Sequence, residues 1–229
     1  MLRRDPNEEE LLAHISSLKL EGVPGTQGGY SNLGYSLLGV VIKRVSGQEY
    51  GDFVTSRLLA PLGMASATFQ PEEPLAAPHR KLEAQGFQPC SREPDDCYRP
   101  AGGLYGSMLD LIRYVGIHLN AWPPRDDPEA DLPVSRATLR ESHRPGGFHR
   151  VGRNSKGLGW AIERDGAIGD VVHHSGGSPV GYSSFAGFEP DVGIGIAGLA
   201  NADVDLEKPL IGVLAKYAIA HGLVEDRRR

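Results

Sequence analysis

Around Gly157 the hydrophobic rhythm of this chain changes from a helical period to an extended one, and that switch limits the folds open to its 229 residues. Before it, apolar residues recur at spacings of three and four. After it, short β-branched and aromatic runs at 158–162, 171–174, 182–188 and 192–199 are separated by turn residues. Connections this short join antiparallel neighbours, because a parallel pair needs a long crossover. A final helix over 205–221 then covers one sheet face. Helices first and meander strands last predict an α+β architecture rather than a doubly wound parallel sheet. One domain over 1–229 is expected, with a helical region at about 7–145 and an antiparallel sheet with its C-terminal helix at about 157–222.

The helical part is punctuated by local signals. Leu11, Leu12, Ile15 and Leu18 mark a helix over 8–20 with Asn7 as its N-cap, and Gly22-Val23-Pro24-Gly25 breaks it. A second helix over 31–46 carries Leu33, Leu37, Val40, Val41 and Val45 on its buried side. Gly47 suits the left-handed position that ends it. A third helix over 50–59 stops before Pro61. Residues 61–100 read as a long irregular stretch, with six prolines from Pro71 to Pro100. Ser107 caps a fourth helix to about 120, with Asp110 at its third position, and a short helix over 135–142 follows.

Two short motifs carry the chemistry. Tyr30-Ser31-Asn32 opens the second helix, and His174-Ser175-Gly176-Gly177 follows a β-branched run. Taken alone, Tyr30 reads equally as an aromatic packing at a helix start. Adjacent strand residues point to opposite faces, so His173 and His174 do not share one cleft, and metal binding by that pair is disfavoured. His14, His143 and His149 show no ligand spacing and read as surface residues; Tyr105 and Trp160 read as core.

A net charge of −5 gives no footprint for nucleic acid, and no apolar run spans a bilayer. Arg3-Arg4 has no apolar stretch behind it, so no signal peptide is read. As written the expectation is a cytoplasmic protein, and a periplasmic or secreted one if the N-terminus is missing. Cys90 and Cys97 share one polar loop, either as a small disulfide or as two unpaired thiols.

The motifs Pro24-Gly25, Tyr30-Ser31-Asn32-Leu33-Gly34-Tyr35, Leu38-Gly39, Pro61-Leu62-Gly63-Met64, Pro100-Ala101-Gly102-Gly103-Leu104, Gly157-Leu158-Gly159-Trp160, His174-Ser175-Gly176-Gly177 and Leu199-Ala200-Asn201 stand in one order. That series resembles the β-lactamase-related serine hydrolases: class C β-lactamases, D,D-peptidases, D-aminopeptidases and family VIII esterases. The resemblance implies a penicillin-binding-protein-like fold, acyl transfer to a serine, and no metal or organic cofactor. It also implies roles for residues. A free phenol is mostly protonated at neutral pH, but a neighbouring lysine ammonium favours the phenolate. A tyrosine at position 30 then accepts the serine proton, and Asn32 holds the lysine or a substrate amide. His174, Ser175, Gly176 and Gly177 form the substrate and oxyanion strand, with the Gly177 N–H as one donor. His174 in place of lysine removes a fixed cation, which favours esters or peptide-like amides over β-lactams.

The same resemblance asks for a serine with a lysine one helical turn later, well before the tyrosine. Ser16-Ser17-Leu18-Lys19 satisfies that spacing, but stands where the family carries an ordinary amphipathic helix. The expectation is therefore a chain that lacks the nucleophile, the general-base lysine and the N-terminal strands. Three consequences follow. Tyr30 and Gly177 should converge on one groove. The strand near 192–199 should have an unpaired edge, or pair with a second copy or another chain. The isolated chain should show little turnover, with a ligand-binding protein or one part of a split hydrolase as the alternatives.

Overall fold

The computed structural model describes residues 8–20, 22–24, 26, 29–90, 99–129, 131–150, 154–178 and 181–225. Helices α1 (Glu8–Ile15), α2 (Asn32–Ser46) and α3 (Tyr50–Val54) come first, and α3 runs into a π-helical turn, Thr55–Leu59. A hairpin of β1 (His79–Leu82) and β2 (Gly86–Pro89) precedes α4 (Arg99–Gly102), α5 (Met108–Leu119) and α6 (Arg136–Ser142). Six antiparallel strands then stand side by side in chain order: β3 (Gly147–Arg150), β4 (Asn154–Lys156), β5 (Ala161–Asp165), β6 (Gly169–Ser178), β7 (Tyr182–Glu189) and β8 (Ile194–Ala200). Helix α7 (Glu207–Ala220) closes the described chain. The architecture is α+β, as the change of period implies.

Local chemistry sets the helix ends. The Ser31 hydroxyl accepts the Gly34 N–H at 3.0 Å and starts α2. Gly47 ends α2 at φ 71, its N–H bonded to the Lys43 carbonyl. Ser107 and Asp110 cap α5 reciprocally, an arrangement worth about 1 kcal/mol. Burial pushes the Asp110 carboxyl up, but hydrogen bonds from Ser66 and Ser107 outweigh it and hold the group below its usual range.

The sheet is covered on both faces, and strand alternation sorts its residues between them. Val171 and Phe185 pack on Ile211, Leu214, Ala215 and Ala218 of α7. Val172, Ala186 and Phe188 pack on the other face with Trp160 and with Val115 of α5. A separate helical cluster gathers Val54, Leu59, Leu62, Met64, Ala67 and Phe69. β8 pairs only with β7, so its outer edge has no strand partner among the described residues. Nor is any described helix long and apolar enough to cross a membrane.

Several expectations are corrected. The first helix ends at Ile15 rather than at 20, because the Ser16 and Ser17 hydroxyls donate to the Ala13 and His14 carbonyls at 2.8 and 2.7 Å and cap it. The buried side of α2 is Ser36 and Gly39, while Val41 and Val45 are exposed. A Cβ on Gly39 would lie 2.3 Å from Pro100 Cγ, so α2 approaches α4 through its small residues and leaves its apolar stripe outward. The stretch 61–100 contains a hairpin, and β3 and β4 extend the sheet beyond its expected start at 157. His14 is exposed as read, but His143 is buried at 4% exposure. Asn7, Cys97 and the side chain of His149 lie outside the described residues, and with Cys97 the question of a Cys90–Cys97 bridge.

Candidate active site

Tyr30 stands one step before the α2 cap and is 72% exposed, so it does not pack on the core. Asn32, the first residue of α2, is exposed beside it. One turn along α2 is Tyr35, whose phenol is raised above its usual value by burial and then by neighbouring Tyr30. At neutral pH Tyr35 is therefore a protonated donor. A Cβ on Gly159 would lie 2.9 Å from the Tyr35 hydroxyl, and Gly159 has φ +79. Only glycine meets both conditions without strain.

Gly159 links this wall to the sheet. Its carbonyl, which can only accept, lies 2.6 Å from His174 Nδ1, so His174 carries its proton there and points Nε2 elsewhere. Three separated motifs, at 30–35, 157–160 and 174–177, thus meet in one cluster. Further along β6, a Cβ on Gly176 would collide with Ser184 Oγ at 2.4 Å, whereas Gly177 has nothing within 4 Å. The strand opens to the cleft at Gly177.

The cleft between the helical layer and the sheet has a volume of about 2080 Å³. Tyr30 and Asn32 line it, and so do His174, Ser175, Gly176 and Gly177. The predicted convergence of Tyr30 and Gly177 on one groove is therefore observed. Ser175 has its hydroxyl engaged, donating to Glu207 Oε2 at 2.7 Å at the start of α7. Alternation along β6 gives the two histidines different exposure, His174 exposed and His173 buried and stacked on Phe185, but both line the cleft, which corrects the expectation that they do not share it.

Sequence reasoning missed the far end of the cleft. The Tyr182 hydroxyl donates to the Ala76 carbonyl at 2.7 Å, and Asn201 Nδ2 donates to the Ala77 carbonyl at 2.8 Å. Tyr105 packs edge-on against Tyr182 at 6.3 Å. These contacts tie the proline-rich stretch to the strand ends. Asn201 was visible only as the close of the ordered motif series.

A buried relay beneath the cleft floor was also missed. Trp122 Nε1–H donates to His143 Nδ1 at 3.0 Å, which leaves His143 Nε2–H to donate to His118 Nδ1 at 2.7 Å. Burial, then the neighbouring His143, lowers the His118 imidazole to about 3, and burial lowers His143 to about 4. Both rings are neutral at physiological pH and pack on Trp160, a cleft residue. A pairing across 25 residues leaves no periodic signal in the sequence.

Ser16 lies in the turn after α1 and Lys19 in the irregular chain beyond it, and neither lines the cleft. Among the described cleft residues the lysine is Lys156, on β4. Its neighbour Ser155 is adjacent on a strand, so the two side chains diverge.

A helical layer set against an antiparallel sheet, with Tyr-x-Asn and His-x-Gly facing one cleft, defines the transpeptidase-like class of penicillin-binding proteins and β-lactamases. The chain belongs to the β-lactamase family, the β-lactamase-related serine hydrolases: a family model described as beta-lactamase matches residues 1–216. It is 26% identical over 197 residues to the D-alanyl-D-alanine-carboxypeptidase/endopeptidase AmpH of Escherichia coli (strain K12), covering 83% of this chain and 49% of that protein. It is 28% identical over 207 residues to protein flp of Staphylococcus aureus (strain MW2), covering 89% of this chain and 39% of that one. The chain thus spans about half, or less, of these relatives' length.

Among solved structures, the octameric penicillin-binding protein homologue from Pyrococcus abyssi matches with a TM-score of 0.70 at 26% identity, over 94% of this chain and 47% of that one. A beta-lactamase/D-alanine carboxypeptidase from Pseudomonas syringae shares the fold with a TM-score of 0.73 at 21% identity, over 96% of this chain and 67% of that one.

Proposed function

We propose that this chain supplies the phenol–carboxamide wall and the oxyanion strand of a hydrolase that works by acyl transfer on ester or peptide-like amide substrates. The observation that carries this reading is the meeting of Tyr30, Asn32 and residues 174–177 on one cleft. Tyr30 accepts the proton of an attacking serine and returns it to the leaving group. The Asn32 side-chain amide bonds a substrate amide or a lysine. The Gly177 N–H is one donor to the developing oxyanion, and losing one such donor costs about 2.7–4 kcal/mol of barrier lowering. His174 offers no fixed cation, which favours esters and peptide-like amides over β-lactams. Similarity to a D-alanyl-D-alanine carboxypeptidase/endopeptidase makes a D-alanine-terminated peptide the first amide to try.

The nucleophilic serine and its lysine come, in this proposal, from polypeptide other than the described residues. Ser16 and Lys19 sit away from the cleft. A volume of about 2080 Å³ exceeds the ~300–1,000 Å³ of an ordinary ligand pocket. The walls include the exposed side chains of Leu104, Leu158 and Leu199, which suit a packed segment better than solvent. The α2 stripe of Leu38, Val41 and Val45 is exposed, and the β8 edge is unpartnered among the described residues. An added segment covers both.

The purified chain alone should neither hydrolyse p-nitrophenyl acetate nor react with a fluorophosphonate. Both activities should appear when an N-terminal segment bearing Ser-x-x-Lys is fused or added. Tyr30→Phe should then reduce turnover by about 10²–10⁴-fold with an unchanged Tm, since Tyr30 is exposed. Stoichiometric labelling of the chain alone at Ser16, abolished by Ser16→Ala or Lys19→Ala, would overturn the proposal. Saturable binding of a peptide without turnover, segment present, would assign the cleft to binding instead.

A further inference from the structure

We infer that Glu163, His173 and Glu207 form a site for a first-row divalent cation of the zinc class, on the sheet face that α7 covers. Pairing fixes the placement. Ala161 faces His173 and Glu163 faces Val171 across β5 and β6, so Glu163 and His173 share one face. That is the face on which Val171 meets α7, and Glu207 is the first residue of α7. One ligand atom from each of the three residues lies within 4.8 Å of the others.

The imidazole is held and its inner nitrogen is unused. His173 is 3% exposed and stacks on Phe185, with ring centroids 5.6 Å apart and an interplanar angle of 22°. Its Nδ1 is buried and has no hydrogen-bond partner. Nδ1 lies 3.7 Å from Glu207 Oε2, and Nε2 lies 3.8 Å from Glu163 Oε2. Those separations are too long for hydrogen bonds. One ion takes one ring nitrogen only: the 3.7 Å between the unused Nδ1 and Glu207 Oε2 is close to the spacing of two ligands that each approach one shared ion at about 2.0–2.2 Å, and the half-exposed Glu163 carboxylate swings in as the third ligand.

The chemistry of the set is selective. A neutral imidazole with two carboxylates matches the charge of a dication, and this mixture suits zinc, cobalt or manganese better than calcium or magnesium. Burial holds His173 below its ordinary value, against the opposing pull of Glu207, so the ring is available as a neutral ligand. Ser175 donates to Glu207 Oε2 and orients that carboxylate, as outer partners of metal ligands do. Lys156, from the neighbouring strand, is the fixed charge that opposes the cation. Three protein ligands leave a fourth position to water. A bound ion clamps the start of α7 to β5 and β6 at the wall of the cleft, which Glu163, His173 and Glu207 all line. Apart from Ser175, which orients Glu207, the site uses none of the groups assigned to acyl transfer.

The test is titration of the full chain, first stripped with a chelator, with Zn²⁺ by calorimetry and with Co²⁺ by visible absorption. Near-UV circular dichroism reports folding throughout. One equivalent should bind saturably at micromolar concentration, raise Tm and give the d–d bands of a low-coordinate cobalt site. Glu163→Gln, at a half-exposed position that tolerates the change, should weaken binding at least ~10-fold, and so should Glu207→Gln. His173→Phe should abolish the cobalt bands. No saturable binding below millimolar metal would overturn the inference. Equal affinity in wild type, Glu163→Gln and Glu207→Gln would overturn it as well, because the ion would then sit elsewhere.

Discussion

Replacing His143 with glutamine isolates the acid sensitivity of the buried histidine relay. In the folded protein burial holds His143 at about 4, whereas the unfolded chain takes up its proton near the ordinary histidine value of 6.5. The unfolded state therefore binds more protons below pH 6.5, and stability declines as pH falls from there toward 4. A gap of about 2.5 units at ~1.36 kcal/mol each amounts to about 3.4 kcal/mol in all, of which about 1.2 kcal/mol is lost between pH 6 and pH 5. His118, lowered to about 3, acts in the same direction. Glu189 acts in the other. Burial raises its carboxyl to about 7, so below pH 7 the folded state holds a proton that the unfolded chain releases down to about 4.5, offsetting one histidine in the wild-type curve. Comparison with His143→Gln cancels that term. Glutamine can still accept from Trp122 and donate to His118, but it does not titrate. Urea unfolding at pH 7, 6, 5.5 and 5, followed by the fluorescence of the two tryptophans, gives the difference directly. The variant should be less stable at pH 7, and the gap should narrow by about 1.2 kcal/mol from pH 6 to pH 5. A gap that stays constant over that interval would refute the assignment of two neutral, buried histidines.

Gly159→Ala should destabilise by about 1–3 kcal/mol, because alanine at φ +79 is strained and its Cβ meets the Tyr35 hydroxyl; a Tm within one degree of wild type would contradict that geometry. Phe188→Ala should cost about 3–5 kcal/mol in urea unfolding, since the fully buried ring packs on Trp160 at 5.5 Å and His143 at 4.9 Å; a loss below about 1 kcal/mol would mean that this face of the sheet is loosely packed.

Much of the fold was legible from local chemistry. Ser31, Gly47 and the Ser107–Asp110 pair set helix ends through contacts within four residues, and such contacts are written in the sequence. The strands at 182–189 and 194–200 were legible because both of their faces are covered, which demands apolar runs. The hairpin of β1 and β2 was not, because its residues are mostly exposed and carry no alternation. The end of α1 was misplaced because Leu18 continues an apolar period that the Ser16 and Ser17 hydroxyls interrupt.

The sequence by itself determined the order of helical region, antiparallel strands and closing helix, the helix ends at Ser31, Gly47 and Ser107, and the identity of the cleft residues Tyr30, Asn32 and His174 to Gly177. Tertiary structure alone decided what those residues touch. It set Tyr35 against Gly159 and Gly159 against His174, turned Ser175 toward Glu207, and buried His143 against His118. It also brought Glu163, His173 and Glu207 together from two strands and a helix. The reason is physical. Periodicity reports which face of an element is apolar, but the partner across that face is chosen by register and close approach, at Gly39 and Gly159 for example, and those distances exist only once the layers have packed.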